Sequence, residues 1–220
     1  MTSISTLPVP GTEFQVVIID DFMPGPHKLV DYALSNGKAP KDELLYPGLR
    51  MPAPAGYLRY ALATINLAFK KCRIADTLSD GEAYFAMVTR PPAELTTEQS
   101  IPHFDRPYSH EYAVVHYLCS PAFGGTSIYR YNPTGQVAVT EATLNRYQQS
   151  LDAELAALPV TPGYINGDTR LFSRVAQVPC AFNRAVIYPC ALLHSGDIPA
   201  NFVPDLNPYT GRFTVTAFLR

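Results

Sequence analysis

Short apolar segments are spaced along most of the chain, and their pattern predicts a protein built mainly from β-strands. The segments are rich in β-branched and aromatic residues, and several alternate apolar with polar positions, which is typical of strands packed on a core. The predicted strands are residues 14–20, 82–89, 112–118, 126–131, 171–178, 184–188 and 213–219. The 21 prolines fall largely between these segments and indicate many turns.

Three other segments repeat their apolar residues at the spacing of a helix. In the second of them, Leu58, Leu62 and Ile65 recur at intervals of four and three residues, which puts them on one helical face. The predicted helices are residues 26–35, 57–72 and 141–157. Residues 38–56 are rich in proline and predict a long irregular loop.

The order of these elements predicts an α+β protein that is mainly β. Strands follow one another without regular alternation with helices, which argues against a parallel α/β sheet. A barrel or jelly roll covered by helices on one face is the packing that this order favours. We expect residues 1–220 to form a single domain, in which residues 14–80 pack on a core formed by residues 83–220.

The composition supports a folded protein and argues against several kinds of partner. The 220 residues are 47% hydrophobic and 16% charged, as is usual for a globular domain. A net charge of −2 gives no basic surface for nucleic acid. No apolar run is long enough to span a membrane and no secretory signal is evident, so we expect a cytoplasmic protein without a membrane partner. Nothing in the sequence specifies the oligomeric state.

The four cysteines are predicted to be small buried side chains. They lie in apolar contexts and form no C-x-x-C pair, so a zinc ribbon is not expected. They are Cys72, Cys119, Cys180 and Cys190.

Three polar residues beside predicted strands form a candidate metal site. His103 and Asp105 are two residues apart in an extended segment, so their side chains point the same way. His194 follows a buried strand, where the end of a barrel would expose it. Two histidines and one carboxylate are the ligand set that binds non-haem Fe(II) and leaves coordination positions open. Alternatively, each histidine is a structural side chain with a hydrogen-bond partner.

The last predicted strand begins with a candidate anion-binding residue. Alternation puts Arg212 and Thr214 on one face of this strand, whereas Phe213 and Val215 share the apolar face. An inward arginine is costly to bury unless it pairs with an anion. A bound carboxylate would satisfy Arg212, with a further hydrogen bond from Thr214. Pairing with a carboxylate of the protein is the alternative.

Five motifs together resemble one enzyme family. They are VVIIDDF at 16–22, HFD at 103–105, HYLCSPAFGGTSIY at 116–129, RAVIYPCALLHSG at 184–196 and GRFTVTAFL at 211–219. Their types and order are similar to those of the Fe(II)/2-oxoglutarate-dependent oxygenases, in the prolyl-hydroxylase-like branch. The basic residue of the last motif lies farther from the second histidine than in close relatives, and residues 197–210 look like an inserted loop that is a candidate lid.

The resemblance implies a fold, a cofactor set and a reaction. The fold would be the double-stranded β-helix, a jelly-roll or cupin-like barrel, with the helix at about 141–157 inserted into it. The three residues of the candidate metal site would bind Fe(II), while Arg212, Thr214 and Tyr117 would hold 2-oxoglutarate. Molecular oxygen would then hydroxylate an aliphatic carbon of a small-molecule or peptide substrate, with release of succinate and CO2. The candidate substrate contacts are Arg106, Arg130 and Tyr129.

Two other functions are compatible with the same residues. One is a metal- or ligand-binding β-barrel without oxygenase turnover. The other is a hydrolase or isomerase that uses a different divalent metal. The barrel would fail to consume 2-oxoglutarate. Arg212 discriminates between the oxygenase and the hydrolase or isomerase, because those reactions require no clamp for a 2-oxo acid.

Overall fold

The computed structural model describes residues 2–36, 41–42 and 46–220, with only the backbone of residues 41–42. The strands are β1 Ser3–Pro8, β2 Gln15–Asp20, β3 Lys41–Asp42, β4 Gly48–Pro52, β5 Gly81–Val88, β6 Tyr112–Tyr117, β7 Thr126–Tyr131, β8 Phe172–Val178, β9 Ala185–Pro189, β10 His194–Gly196 and β11 Phe213–Leu219. The helices are α1 His27–Asn36, α2 Ala55–Cys72 and α3 Leu144–Ala157. None of the helices in the described residues is both long and apolar enough to cross a membrane.

The strands form two antiparallel sheets, which confirms the expectation of a mainly β protein. The large sheet has eight strands in the order β1-β2-β9-β6-β11-β5-β4-β3. The small sheet has three strands in the order β10-β7-β8. In the described residues neither sheet closes on itself, so the architecture is a pair of sheets.

The large sheet has one face toward helices and one face toward the small sheet. On β11, Phe213 and Val215 pack in an apolar cluster with α1 and α2, as the alternation predicts. On the other face, Tyr117 and Val186 join Ile128 of the small sheet in a second cluster. We call this second side the inner face. Burial of apolar side chains on both faces is the main force that holds the layers together.

Helix α3 packs on a different sheet from α1 and α2. Its buried Tyr147 belongs to a third apolar cluster with Tyr129, Tyr131 and Phe172, all from the small sheet. The expectation of helices on one face therefore holds for α1 and α2 and is wrong for α3. The two layers of helices lie outside the two sheets and leave the inner face for the candidate site.

Residues 46–56 differ most from the sequence-based prediction. The proline-rich segment was expected to be a loop, but Gly48–Pro52 form β4, which pairs with β5. Residues 38–40 and 43–45 of the same prediction lie outside the described residues. Two further short strands, β1 and β10, have no counterpart among the predictions. Strand β4 adds Arg50 to the inner face, because Arg50 is in register with Ala86 of β5.

Candidate metal centre

The structure brings together the three predicted metal ligands from two distant parts of the chain. His103 and His194 form an isolated antiparallel bridge, in which each backbone N–H donates to the carbonyl of the other, at 2.9 and 2.8 Å. The backbone N–H of Asp105 donates to the carbonyl of Cys190 at 2.9 Å. These main-chain bonds fix the segment 103–105 against the segment that carries the second histidine.

The side chains of the triad converge on one point. His103 Nε2 lies 3.8 Å from Asp105 Oδ1, and His194 Nε2 lies 3.5 Å from Asp105 Oδ2. One donor atom from each of the three residues lies within 4.8 Å of the others. Two imidazoles and one carboxylate on one side of a common point leave the opposite side open, which suits a metal that must also bind a co-substrate.

Hydrogen bonding orients His194 for coordination. Its Nδ1 lies 2.9 Å from the carbonyl of Leu192, so Nδ1–H donates to this oxygen and Nε2 carries the lone pair. The ring also packs against Tyr188, with centroids 4.7 Å apart. The nitrogen that faces Asp105 is therefore the one available to a metal ion.

The electrostatic environment keeps the two histidines neutral. Burial lowers the pKa of His194 to about 4. Desolvation by the surrounding protein lowers the pKa of His103 to about 4 as well, and repulsion from His194 is a smaller cause. Burial raises the pKa of the Asp105 carboxyl, while His103 opposes the change. Because a metal ligand must be a neutral imidazole, these histidines need to lose no proton at neutral pH.

The triad has a solvent-facing side and a protein-facing side. The His103 side chain is 56% exposed, whereas that of His194 is 7% exposed and that of Asp105 is 14% exposed. Of the three side chains, that of His103 is therefore the one open to solvent.

Arg212 lies on the inner face as a buried cation. Its side chain is almost fully buried, and its Nε donates to the carbonyl of Phe123 at 3.2 Å. Within the described residues, no carboxylate forms an ion pair with it. The groups whose electrostatic influence reaches it are thiols and phenols: Cys119, Tyr46, Tyr117 and Cys180. Among the described residues, the alternative of pairing with a protein carboxylate is therefore not observed.

Gly196 connects the arginine with the triad. A Cβ atom built on Gly196 would lie 3.1 Å from Nη2 of Arg212, so the guanidinium passes over this glycine. Gly196 and His194 are two residues apart on β10 and point to the same side of the strand. Two residues of a strand span roughly 6.6 Å. The guanidinium therefore lies beside the strand that carries His194, two residues along it.

Two further polar side chains line the inner face near Arg212. The hydroxyls of Tyr117 and Thr126 are 2.6 Å apart and link the two sheets. Thr214 stands opposite Tyr117 in the register of β11 and β6, and its hydroxyl donates to the carbonyl of Ala86 at 3.4 Å. The predicted residues Arg212, Thr214 and Tyr117 therefore occupy one end of the inner face. Two positions along β11, the buried hydroxyl of Thr216 has no hydrogen-bond partner in the described structure.

The predicted substrate contacts occupy three different environments. Arg106 is held by Glu82 and Glu111 in two ion pairs of 2.7 Å. Tyr129 is buried in the cluster that contains α3, so the structure does not bring it to the triad. Arg130 is exposed on β7, two positions from Ile128, which pairs with His194. Substrate contact by Arg130 stays a prediction, whereas Arg106 and Tyr129 already have structural roles.

Sequence reasoning missed Arg50, because it placed this residue in a loop. Its Cζ lies 4.5 Å from the ring centre of Tyr46 and 5.8 Å from that of Phe218. Its charge is among the smaller causes that shift the pKa of His103 and Asp105, after burial. Arg50 is therefore close enough to the triad for its charge to act on His103 and Asp105.

The loop 197–210 is packed at its start and exposed farther on. Ile198 and Phe202 are buried in a small cluster with Val88, which Tyr46 and Tyr164 adjoin. The large side chains exposed after them are Val203, Leu206 and Tyr209. The start of the loop thus forms part of the wall near Arg212.

Comparison with solved structures finds proteins of similar fold. The structure of HygX from Streptomyces hygroscopicus with nickel and 2-oxoglutarate bound superposes with a TM-score of 0.51 at 14% identity, over 92% of this chain and 81% of HygX. An N-substituted L-amino acid dioxygenase from Burkholderia ambifaria, in complex with alpha-KG, matches with a TM-score of 0.40 at 10% identity, over 92% and 81% of the two chains. The fold is thus similar to that of HygX, whose structure holds 2-oxoglutarate.

The sequence defines the family more narrowly. Residues 1–219 match the family of unknown function DUF6445, and the chain belongs to this family. No curated protein matches the sequence.

Proposed function

We propose that the protein is a non-haem Fe(II)- and 2-oxoglutarate-dependent dioxygenase that hydroxylates an aliphatic carbon, with release of succinate and CO2. One observation carries the proposal. A triad of two histidines and one aspartate shares the inner face with a buried arginine for which the described residues provide no carboxylate. Hydrolases and isomerases that use a divalent metal need no such cation.

His103, Asp105 and His194 would hold the iron, and bound Fe(II) supplies the activation of molecular oxygen that oxidation of a C–H bond requires. The protein presents two neutral imidazoles and one carboxylate, which is the donor set that this ion takes. The carbonyl of Leu192 keeps the lone pair of His194 directed at the site.

Arg212 would bind the distal carboxylate of 2-oxoglutarate in a charge-assisted pair. Tyr117 and Thr214 lie at the same end of the inner face and offer hydroxyls to that carboxylate. The partnerless hydroxyl of Thr216 lies on β11 between Thr214 and Phe218, so it faces the body of the same ligand. Buried polar groups without partners are costly, and a bound diacid would offset that cost.

The finer features of the fold belong to the same proposal. The two sheets would be the halves of a double-stranded β-helix of the prolyl-hydroxylase-like branch. Residues 1–220 would act as one domain, in which residues 14–80 support the core.

The substrate, a small molecule or a peptide, would approach past the exposed His103. Arg50 adds a positive charge near His103, and Arg130 is exposed on the strand next to β10. The loop 197–210 would act as a lid through its exposed half, since its first residues are already packed.

The test is anaerobic addition of Fe(II) and then 2-oxoglutarate to the purified protein, followed by visible spectroscopy. We expect the weak charge-transfer band of the iron chelate. His194→Ala should abolish the band, Arg212→Ala should weaken it, and Arg146→Ala, an exposed control on α3, should leave it unchanged.

Two other outcomes would argue against the proposed function. Tight iron binding without the band would favour a metal-binding barrel without turnover. No iron binding to the unmodified protein would overturn the assignment of the triad.

A further inference from the structure

Cys119 and Cys180 form a pair of thiols at one end of the inner face. Their sulfur atoms are 3.9 Å apart, and both side chains are buried. Cys119 follows β6 of the large sheet, and Cys180 follows β8 of the small sheet. The pair therefore joins the two sheets at the end where Arg212 lies.

The local hydrogen bonds make one thiol more reactive than the other. Cys180 Sγ lies 3.8 Å from the carbonyl of Cys119 and 3.6 Å from that of Ser120. The pKa of Cys119 is lowered, first by the hydrogen bond from Cys180 and then by the charge of Arg212, against the effect of burial. The pKa of Cys180 is raised by the same pairing and by burial. Thiolate character makes Cys119 the nucleophile and Cys180 the resolving thiol.

A cavity gives small molecules a route to Cys119. It has a volume of about 200 Å³ and lies between α1 and the end of β6, where Cys119 and Ser120 form part of its wall beside His27, Val30, Leu118, Phe182 and Tyr209. A peroxide is small enough for such a space. Cys72 is the matched comparison, since it is less buried than the pair and burial raises its pKa.

We propose that Cys119 and Cys180 are a modification site, in which oxidants of the peroxide class convert the two thiols to a reversible disulfide. The Cys119 thiolate attacks one oxygen of the peroxide, the O–O bond breaks, and the leaving hydroxide takes a proton to become water. Cys180 then attacks the sulfur of the resulting sulfenic acid, the S–O bond breaks, and the oxygen leaves as a second water. Two thiols are oxidised by two electrons, and one peroxide is reduced.

The disulfide would change the environment of Arg212. The sulfur atoms must approach by about 1.9 Å to reach the bond length of about 2.05 Å. Cys119 leads directly into the turn Pro121–Phe123, whose last carbonyl accepts the hydrogen bond from Arg212. Gly124 and Gly125 hold this turn tightly, because a Cβ on either would lie within 2 Å of a backbone oxygen. The turn therefore has no room to compensate for the movement of Cys119. The carbonyl of Phe123 would shift, and its hydrogen bond with Arg212 would be disturbed.

The first experiment measures the disulfide by itself. The full-length protein, prepared without iron to avoid metal-catalysed oxidation, is treated with hydrogen peroxide, then with catalase, and its peptides are analysed by mass spectrometry after alkylation. We expect a linked peptide pair containing Cys119 and Cys180, reversed by dithiothreitol, with Cys72 still alkylated. Oxidation of Cys72 before the pair, or separate over-oxidation of Cys119 and Cys180 without a link, would overturn the proposal. Cys119→Ser should prevent the link, whereas Cys72→Ser should not.

The second experiment measures the consequence for Arg212, which rests on the proposed function. We expect the oxidised protein to bind 2-oxoglutarate about tenfold more weakly than the reduced protein, because the hydrogen bond that orients the cation is disturbed. Cys180→Ser treated with the same peroxide should keep the affinity of the reduced protein. Equal affinities in the linked and reduced forms would refute the effect on Arg212. If the reduced protein binds no 2-oxoglutarate, the proposed function fails, and the disulfide is still judged by its peptides.

Discussion

The two faces of the large sheet treat buried polar groups in opposite ways. On the helix-facing side, His116 is fully buried, with Nε2 3.1 Å from Asn183 Oδ1 and Nδ1 3.4 Å from the hydroxyl of Tyr57. The side chain of Asn183 in turn forms two hydrogen bonds with the backbone of Met23. Its Oδ1 accepts from the N–H, and its Nδ2 donates to the carbonyl. On the inner face, Arg212 has one backbone partner and Thr216 has none in the described structure.

Under the proposed function, this difference separates polar groups that stabilise the fold from polar groups that would bind a ligand. His116 and the inner-facing Tyr117 are neighbours on the same strand, so local sequence does not distinguish their roles. A structural polar group is satisfied by the protein, because an unpaired group costs free energy. A ligand-binding group carries that cost until the ligand arrives.

Loss of a triad histidine should give the largest effect. We expect His194→Ala to reduce Fe(II) affinity by more than about 100-fold, since even loss of an outer partner of a ligand costs 10–100-fold. Isothermal titration with Fe(II) under nitrogen measures this loss. His27→Ala, at an exposed position on α1, is the control and should retain the affinity. Similar weakening of Fe(II) binding in both variants would contradict the assignment of the triad as the metal site.

Replacement of Arg212 should separate binding from stability. We expect Arg212→Leu to weaken 2-oxoglutarate binding by about 100-fold, as for loss of a buried charge-assisted pair. The melting temperature should stay constant or rise, because a buried cation without a counter-ion is removed. Arg184→Leu is the matched control, since Arg184 pairs with Asp20 at 2.6 Å. This control should lose some stability and keep 2-oxoglutarate binding; the reverse pattern would contradict the distinction between the two faces.

Replacement of His116 should affect stability alone. We expect His116→Leu to lower the free energy of unfolding by about 3 kcal/mol, because Asn183 and Tyr57 are left without their buried partner. Urea denaturation measures this loss, and Fe(II) affinity should not change.

The pH dependence of stability gives a second measure of His116. Burial lowers its pKa from 6.5 to about 4 in the folded protein. The unfolded chain therefore binds more protons between these values, and stability falls as the pH falls from 6.5 to 4. His116→Leu should flatten this slope relative to the unmodified protein in urea titrations at several pH values. An unchanged slope would show that His116 is not held neutral.

The smallest effect is expected for the lone hydroxyl of Thr216. Thr216→Val keeps the shape of the side chain and removes a buried group without a partner, so stability should rise by up to about 1 kcal/mol. The affinity for 2-oxoglutarate should fall by about fivefold, as for loss of one neutral hydrogen bond. A drop in stability would place Thr216 among the structural polar groups instead.

Strands with clear alternation were predictable from the sequence. The bounds of β7 and β11 agree with the prediction, because alternating apolar residues specify a half-buried strand directly. Strand β4 was missed because the prolines around it indicate turns, and its pairing with β5 is a tertiary effect. Strand β10 is too short to have a pattern of its own.

The candidate site was predictable in part. The spacing of His103 and Asp105 and the inward face of Arg212 follow from alternation along single segments. The approach of His194 depends on a backbone bridge between remote segments, which no local pattern encodes. Arg50 and the Cys119–Cys180 pair depend in the same way on how strands are ordered in the sheets.

The bridge between His103 and His194 makes the candidate metal site dependent on folding. Two of the donor atoms exist as neighbours only after segments remote in sequence have exchanged main-chain hydrogen bonds. An unfolded or half-assembled chain offers an ion no more than scattered single ligands. Any ion that prefers the completed triad therefore favours the native state by mass action. Iron would thus bind late in folding and only to correctly folded molecules.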